Sequence, residues 1–386
     1  MDITIHPGKL RGTVTAIPSK SQAHRLLICA AFADGPTNLI CADTNQDIEA
    51  TANCLQALGA DIQRTHDGYR VSPVKQLPET AQLHCRESGS TLRFLLPIVG
   101  ALGVNATFHM EGRLPQRPLS PLWEEMERMG CTLTRPTENT IVCYGKLKSG
   151  TYNIPGNVSS QFISGLLLAF SLMEEPGTLN ITGKLESAPY VDMTRDALAM
   201  FPKHRTPGTI AVEGDWSNSA FFLAAKVLGN DIAVEYLSAH SKQGDRAVTF
   251  WLTALKDHCT LSAADIPDLV PILAVLAAAN NGAVFTDIQR LRLKESDRVA
   301  SVIAMLEALG GKAEATEDAL TVYGTGFTGG TVNSFNDHRI VMSAAIAATV
   351  CSGDVTILGA EYVSKSYPKF FEEYRRLGGN YEQYLR

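Results

Sequence analysis

The 386-residue chain contains no Cys-x-x-Cys and no His-x-x-x-His, although it carries eight cysteines and nine histidines. That argues against a zinc site and against a disulfide scaffold, and a reducing cytoplasm is the expected home. No apolar run reaches the length of a membrane span, and the opening MDITIHPGKLRG has no apolar signal core. Neither a membrane role nor a metal is expected. Positive charge is also not in excess: 34 Lys and Arg against 40 Asp and Glu give a net charge of −6. A general binder of nucleic acid or other polyanions is disfavoured, so any basic site must be local.

With 45% hydrophobic and 19% charged residues, the chain has the composition of a soluble globular protein. Its length suits about two or three domains. The stretch IPSKSQAHRLLICAAF, residues 17–32, places Lys20, two serines, His24 and Arg25 before an apolar run. Ala23, Leu26, Leu27, Ala30 and Ala31 follow the helical template, and Ser19 or Ser21 can cap the start. A helix N-terminus exposes unpaired N–H groups and the positive end of the macrodipole, so cations added there suit an anion.

The pattern recurs. Polar starts before small and apolar residues return in ESGSTLRFLLPIVGALG, VSSQFISGLLLAFSLM, GDWSNSAFFLAAKVLG, DIPDLVPILAVLAAANNG and NDHRIVMSAAIAATVCSG. Being apolar on nearly every side, these segments predict six buried helices. An amphipathic set alternates with them, from ATANCLQALGAD to FFEEYRRLGG, most members ending in Leu-Gly or Met-Gly before a short strand. Taking Ser21, Ser90, Ser160, Ser219, Asp268 and Asp337 as markers, the steps are 69, 70, 59, 49 and 69 residues. Six units exceed one core, so two domains of three units each are expected. The Pro- and Gly-bearing stretch 201–209 reads as the boundary, and units three and four read as shortened.

Polar residues mark the N-terminal ends of the buried helices in unit after unit, with further clusters at RLPQRPLS, ESAPY, RLRLKESDR and VSKSYPK. If the helix starts of both domains face a shared cleft, that cleft traps highly anionic ligands. GTGFTGG holds a literal G-x-G-x-x-G at Gly324, Gly326 and Gly329, but TVNSFNDH follows as strand and loop rather than helix. It therefore lacks the context of a dinucleotide site.

The motifs PSKSQAHR, RESGSTLRF, RPLSPL, SSQF, SAPY, IPD, LKESDR, NDHR and SKSYPKF occur together and in order. In this the chain, from about Lys9 to Phe371, resembles the 5-enolpyruvylshikimate-3-phosphate synthase family. The resemblance implies an α/β enolpyruvyl transferase fold, inverse α/β barrel-like, with two domains of three βαβαββ units each. One domain would comprise residues 1–17 and 213–386, the other 18–212, with the active site in the cleft between them. The implied reaction transfers the enolpyruvyl group of phosphoenolpyruvate to the 5-hydroxyl of shikimate 3-phosphate and releases phosphate. No cofactor is implied, glyphosate is an expected inhibitor, and a cytoplasmic monomer is expected.

Carried over by motif, Lys20, Ser21, Arg25, Ser159, Ser160, Gln161, Ser187, Tyr190, Asp268 and Lys294 would hold shikimate 3-phosphate. Lys20, Gly89, Arg117, Gln161, Arg298, Arg339 and Lys365 would surround phosphoenolpyruvate. Asp268, Glu295 and Lys20 would be catalytic. Two substrates that each carry a phosphate and a carboxylate repel, by roughly 1 kcal/mol per unit-charge pair at 4 Å in water and about 4 at an effective dielectric of 20. Arginines suit forked contacts to such groups and lysines supply movable point charges. The chemistry also moves protons on and off C3 of the enol ether and off the hydroxyl. Glu295 beside Lys294 fits the C3 donor and Asp268 the hydroxyl base, with Lys20 or Lys365 able to share. Three features depart from the family pattern: Glu87 in place of a frequent Asn, no Gly after Pro18, and the short third and fourth units. Two alternatives remain. The UDP-N-acetylglucosamine enolpyruvyl transferase usually has Cys five residues before the loop arginine, where this chain has Gly112. A non-catalytic anion-binding relative would not need Asp268 and Glu295.

Overall fold

The computed structural model describes residues 1–384. They form two compact units, one of Met1–Ile17 with the chain from Gly214 onward, the other of Pro18–Glu213. The stretch 201–209 lies inside the second unit, where it carries a 3₁₀ turn and the start of a strand, and the chain changes unit at Glu213/Gly214.

Elements are numbered along the chain. The fullest repeat of the 18–213 unit runs β6 (Thr80–Arg86), α3 (Gly89–Leu102), β7 (Asn105–Met110), α4 (Leu122–Arg128), β8 (Cys131–Thr137) and β9 (Thr140–Gly145). Its sheet order is β6-β7-β9-β8, with the first pair parallel and the others antiparallel. A second sheet takes the same order from β12 (Thr209–Ala211), β3 (Thr37–Ile40), β5 (Gly68–Ser72) and β4 (Asp61–Arg64), with α1 (Lys20–Ala31) and α2 (Gln46–Ala57). Its outer strand β12 thus comes from the end of the unit. The third repeat has α5 (Ser160–Ser171) and α6 (Ala188–Met200) but only the parallel pair β10 (Thr151–Pro155) and β11 (Thr178–Thr182).

The other unit repeats this plan. β14 (Cys259–Ser262), β15 (Ala283–Thr286), β17 (Ala319–Tyr323) and β16 (Lys312–Ala315) form one sheet, with α9 (Val270–Ala279) and α10 (Arg298–Ala308). β18 (Gly330–Asn333), β19 (Val355–Leu358), β1 (Asp2–His6) and β20 (Asn380–Tyr384) form the next, with α11 (His338–Ala347) and α12 (Phe370–Arg376). Here the strand between β19 and β20 is supplied by the chain start. β2 (Arg11–Thr15) and β13 (Asp231–Glu235) make a lone parallel pair, with α7 (Trp216–Val227) and α8 (Val248–Ala254).

Two of the three repeats in each unit are therefore complete βαβαββ modules, and the third and fourth are the shortened ones that the spacing implied. The third and fourth repeats stop at βαβα because the 59- and 49-residue steps leave no length for the final hairpin. No sheet closes on itself among the described residues.

The six apolar segments are the helices α1, α3, α5, α7, α9 and α11, and the amphipathic ones are α2, α4, α6, α8, α10 and α12. Every residue from Val270 to Ala278 in α9 is buried, as an all-round apolar helix requires. Each unit has its own continuous core, to which each buried Leu or Ile adds about 1.5–3 kcal/mol. α5 lies hard against α3 because position 165 is glycine: a Cβ there would fall 2.2 Å from the Arg93 carbonyl oxygen. Gly324–Gly330 leads into strand β18, not into a helix, which excludes the dinucleotide reading.

Candidate active site

In the 18–213 unit, helix starts carry the polar residues. Ser19 caps α1 by accepting from the Gln22 N–H, which leaves Lys20 in the first turn. The Lys20 ammonium donates to Asp47 on α2 at 2.9 Å. One turn on, Arg25 is 2% exposed. Its guanidinium donates to Thr194 Oγ1 (2.7 Å), the Ser21 carbonyl (2.6 Å), Ser164 Oγ (3.3 Å) and the Tyr190 carbonyl (2.8 Å), and it lies 4.9 Å above the Phe94 ring. Burial lowers its pKa to about 10, so it stays charged at neutral pH. The structure thus ties Ser21, Arg25 and Tyr190 together across α1 and α6.

α3 begins at Gly89 behind the cap Ser88. A Cβ on Gly89 would meet Arg117 Nη1 at 2.8 Å and Arg93 Nη1 at 2.9 Å, so the missing side chain is the room two guanidinium groups occupy. Arg93 donates to Gln161 Oε1 at 2.9 Å, and Gln161 returns a bond from Nε2 to Ser90 Oγ at 2.9 Å. Gln161 therefore fixes the start of α5 to that of α3. Ser159 caps α5 and Ser160 opens it. Ser187 precedes α6 in a left-handed conformation (φ 55°), uncommon for a residue with a Cβ.

In the other unit, carboxylates converge on one arginine. Arg298 opens α10, is fully buried, and donates from Nη1 to Asp268 (2.7 Å), from Nη2 to Glu295 (2.7 Å) and from Nε to Asp337 (3.0 Å). Burial alone would lower the Arg298 pKa, but Asp337, Glu295 and Asp268 raise it further than that. Asp337 caps α11 by accepting from the Arg339 N–H. Arg339 reaches Asp268 Oδ2 at 3.4 Å and Lys294 reaches Asp268 Oδ1 at 3.4 Å. Burial pushes the Asp268 carboxyl up, yet Arg339, Lys294 and Arg298 outweigh it and hold it well below the ordinary range. Burial lowers the Lys294 ammonium to about 8 against the pull of Asp268. The structure therefore brings together Asp268, Lys294, Glu295, Arg298 and Arg339. Lys365 is buried at the end of the 3₁₀ turn Ala360–Lys365, and the next residue, Ser366, bonds Asn218 on α7 at 3.2 Å.

Sequence reading missed Asp47, Asp245, Ser164 and Thr194. Asp47 reads as an ordinary acidic residue in a first helical turn, and Ser164 and Thr194 as small polar residues within helices. Asp245 lies in the 3₁₀ turn Gly244–Ala247 and is 1% exposed. Burial first, and the Asp268 charge second, push its carboxyl up to about 6. A carboxyl raised on folding contributes fully below its unfolded pKa and loses that contribution as pH rises through about 6. Asp245→Asn should therefore raise the thermal midpoint relative to wild type at pH 8, with the advantage gone at pH 4. Equal shifts at both pH values would contradict that assignment.

The family profile described as EPSP synthase (3-phosphoshikimate 1-carboxyvinyltransferase) matches residues 5–263 and 253–374. A 3-phosphoshikimate 1-carboxyvinyltransferase of Clostridium kluyveri is 36% identical over 419 residues, covering 99% of this chain and 98% of that protein. One from Natronomonas pharaonis is 35% identical over 435 residues, covering 98% of each. Among solved structures, EPSP synthase from Acinetobacter baumannii superposes with a TM-score of 0.81 at 24% identity, covering 99% of both chains. The enolpyruvyl transferase NikO from Streptomyces tendae gives 0.76 at 17% identity, covering 99% of this chain and 98% of that one. The fold is that of the enolpyruvyl transferases, and the chain belongs to the EPSP synthase family.

Proposed function

We infer that the chain transfers the enolpyruvyl group of phosphoenolpyruvate to the 5-hydroxyl of shikimate 3-phosphate, releasing phosphate, in the shikimate pathway to aromatic amino acids. The observation that carries this is the pair Asp268 and Glu295, gripped by the single buried guanidinium of Arg298. An anion-binding relative would gain nothing from carboxylates in a site for phosphates, whereas addition and elimination need groups that move protons. In this reading Glu295 delivers a proton to C3 of the enol ether and later removes one. Asp268, held ionised, takes the hydroxyl proton once bond formation to carbon has made that oxygen strongly acidic. Lys20, Arg117, Gln161, Arg298, Arg339 and Lys365 surround phosphoenolpyruvate at Gly89. Ser21, Arg25, Ser159, Ser160, Ser187, Tyr190 and Lys294 hold shikimate 3-phosphate. Each set draws on both units, and we propose that the two units meet across an interdomain cleft that closes on substrate.

The UDP-sugar alternative is disfavoured at position 112. Gly112 has φ 55°, which L side chains rarely adopt, and a Cβ there would fall 2.4 Å from the Glu87 carboxyl carbon, so a cysteine would be strained and Glu87 would have to move. We place the enzyme in the cytoplasm, where its eight cysteines stay as thiols. Phosphate release from phosphoenolpyruvate tests the reading. Release should require shikimate 3-phosphate and should not occur with UDP-N-acetylglucosamine, and the reverse preference would overturn it.

Glyphosate is the proposed inhibitor, and Gly89 sets the expected sensitivity. Because an added methyl displaces Arg117 and Arg93, Gly89→Ala should raise the KM for phosphoenolpyruvate. The longer inhibitor should lose more, so its inhibition constant should rise by the larger factor. Equal factors would assign Gly89 to the arginines alone.

A further inference from the structure

Arg25 offers five N–H groups, and the described residues engage four of them. Nε–H goes to Thr194, one Nη1 hydrogen to the Ser21 carbonyl, and the two Nη2 hydrogens to Ser164 and the Tyr190 carbonyl. One Nη1 hydrogen is left, so Arg25 can give a carboxylate a single hydrogen bond rather than a fork. A one-point contact is only as good as its direction. We propose that Thr194 and Ser164 are positioning residues that aim this last N–H at the carboxylate of shikimate 3-phosphate, an inference that rests on the substrate reading above.

Both hydroxyls are fully buried and sit on different helices, Ser164 on α5 and Thr194 on α6. Thr194 Oγ1 accepts from Arg25 Nε and donates to Ser164 Oγ at 2.8 Å. The pair thus forms a short relay beside the guanidinium, which also lies 4.9 Å over the Phe94 ring of α3. Four helices set one charge, and the helix that carries Thr194 also carries Tyr190 and follows Ser187, both assigned to the same substrate. Losing the Thr194 hydroxyl leaves Arg25 Nε–H buried without its acceptor. The guanidinium must then turn to find another, and binding must turn it back.

The test compares Thr194→Val, which keeps the shape, with Ser164→Ala, Thr194→Ser and Arg25→Lys, measuring binding of shikimate 3-phosphate alone by titration calorimetry. Thr194→Val should weaken that binding by roughly 5- to 50-fold, with the KM for phosphoenolpyruvate within about twofold of wild type. Ser164→Ala should act in the same direction by a smaller factor, and Thr194→Ser should restore affinity. A merely structural role would lower the melting temperature and the active fraction while leaving the dissociation constant of the folded enzyme unchanged. If Arg25→Lys weakens binding but Thr194→Val and Ser164→Ala do not, positioning is overturned and the substrate reading stands. If Arg25→Lys leaves binding unchanged as well, the substrate reading of Arg25 falls and takes the proposal with it.

Discussion

Glu295→Gln should bind both substrates near wild-type strength and turn over about 10²–10⁴-fold more slowly. The substitution keeps the length and shape of the side chain, and its amide oxygen can still accept from Arg298 Nη2, which Glu295 now receives at 2.7 Å. What disappears is the proton that, in the proposed mechanism, the carboxyl gives to C3 and recovers from it. Because the bond to Arg298 survives in amide form, loss of binding is not the expected failure. The split between dissociation constants and turnover is therefore the informative readout. Near-wild-type turnover with normal binding would remove Glu295 from proton transfer and move that role to Lys20 or Lys365.

The second large effect falls on stability. Replacing Arg298 with methionine should destabilise its unit by about 3–5 kcal/mol, the usual cost of removing one partner from a buried ion pair. Asp337 is fully buried and its carboxylate accepts from Arg298 Nε, so it is the group left most exposed to the loss. Asp268 would keep Lys294 and Arg339, and Asp337 would keep the Arg339 N–H and the Ser296 hydroxyl. Denaturant titration at pH 7.5 reads the loss. A loss under about 0.5 kcal/mol at pH 7.5, within the range of ordinary surface substitutions, would show that Arg298 is not the hub of the cluster.

The fold was largely legible because the repeats write the same physical demand several times over. A helix such as α9, apolar on every side, has to be buried, and its polar neighbour Asp268 then has to stand at its start. The decoy glycines at 324–329 were separable for the same reason, since what followed them read as strand. What could not be read was the pairing of distant strands. β12 joins β3, and β1 inserts between β19 and β20, through hydrogen bonds that leave no mark on local pattern. The cationic and serine positions stood out because charge at the start of an apolar helix needs a reason. Their partners did not. Asp47 becomes notable only once its carboxylate is 2.9 Å from Lys20, and Thr194 only once Arg25 is seen to spend its Nε–H on it. Gly165 likewise carries no local sign that α3 packs against it.

Carboxylates in this site are proposed to protonate and then deprotonate C3 while phosphate leaves from a tetrahedral adduct. Running the wild-type reaction in deuterium oxide and analysing the product and recovered phosphoenolpyruvate by mass spectrometry tests it most directly. Addition places a solvent deuteron on a freely rotating methyl group, so elimination must leave deuterium in the vinyl position of the product, and reversal must leave it in recovered phosphoenolpyruvate. Product formed at the normal rate with no deuterium at C3 would contradict the account, because the enolpyruvyl group would then have moved without the proton transfers assigned to Glu295.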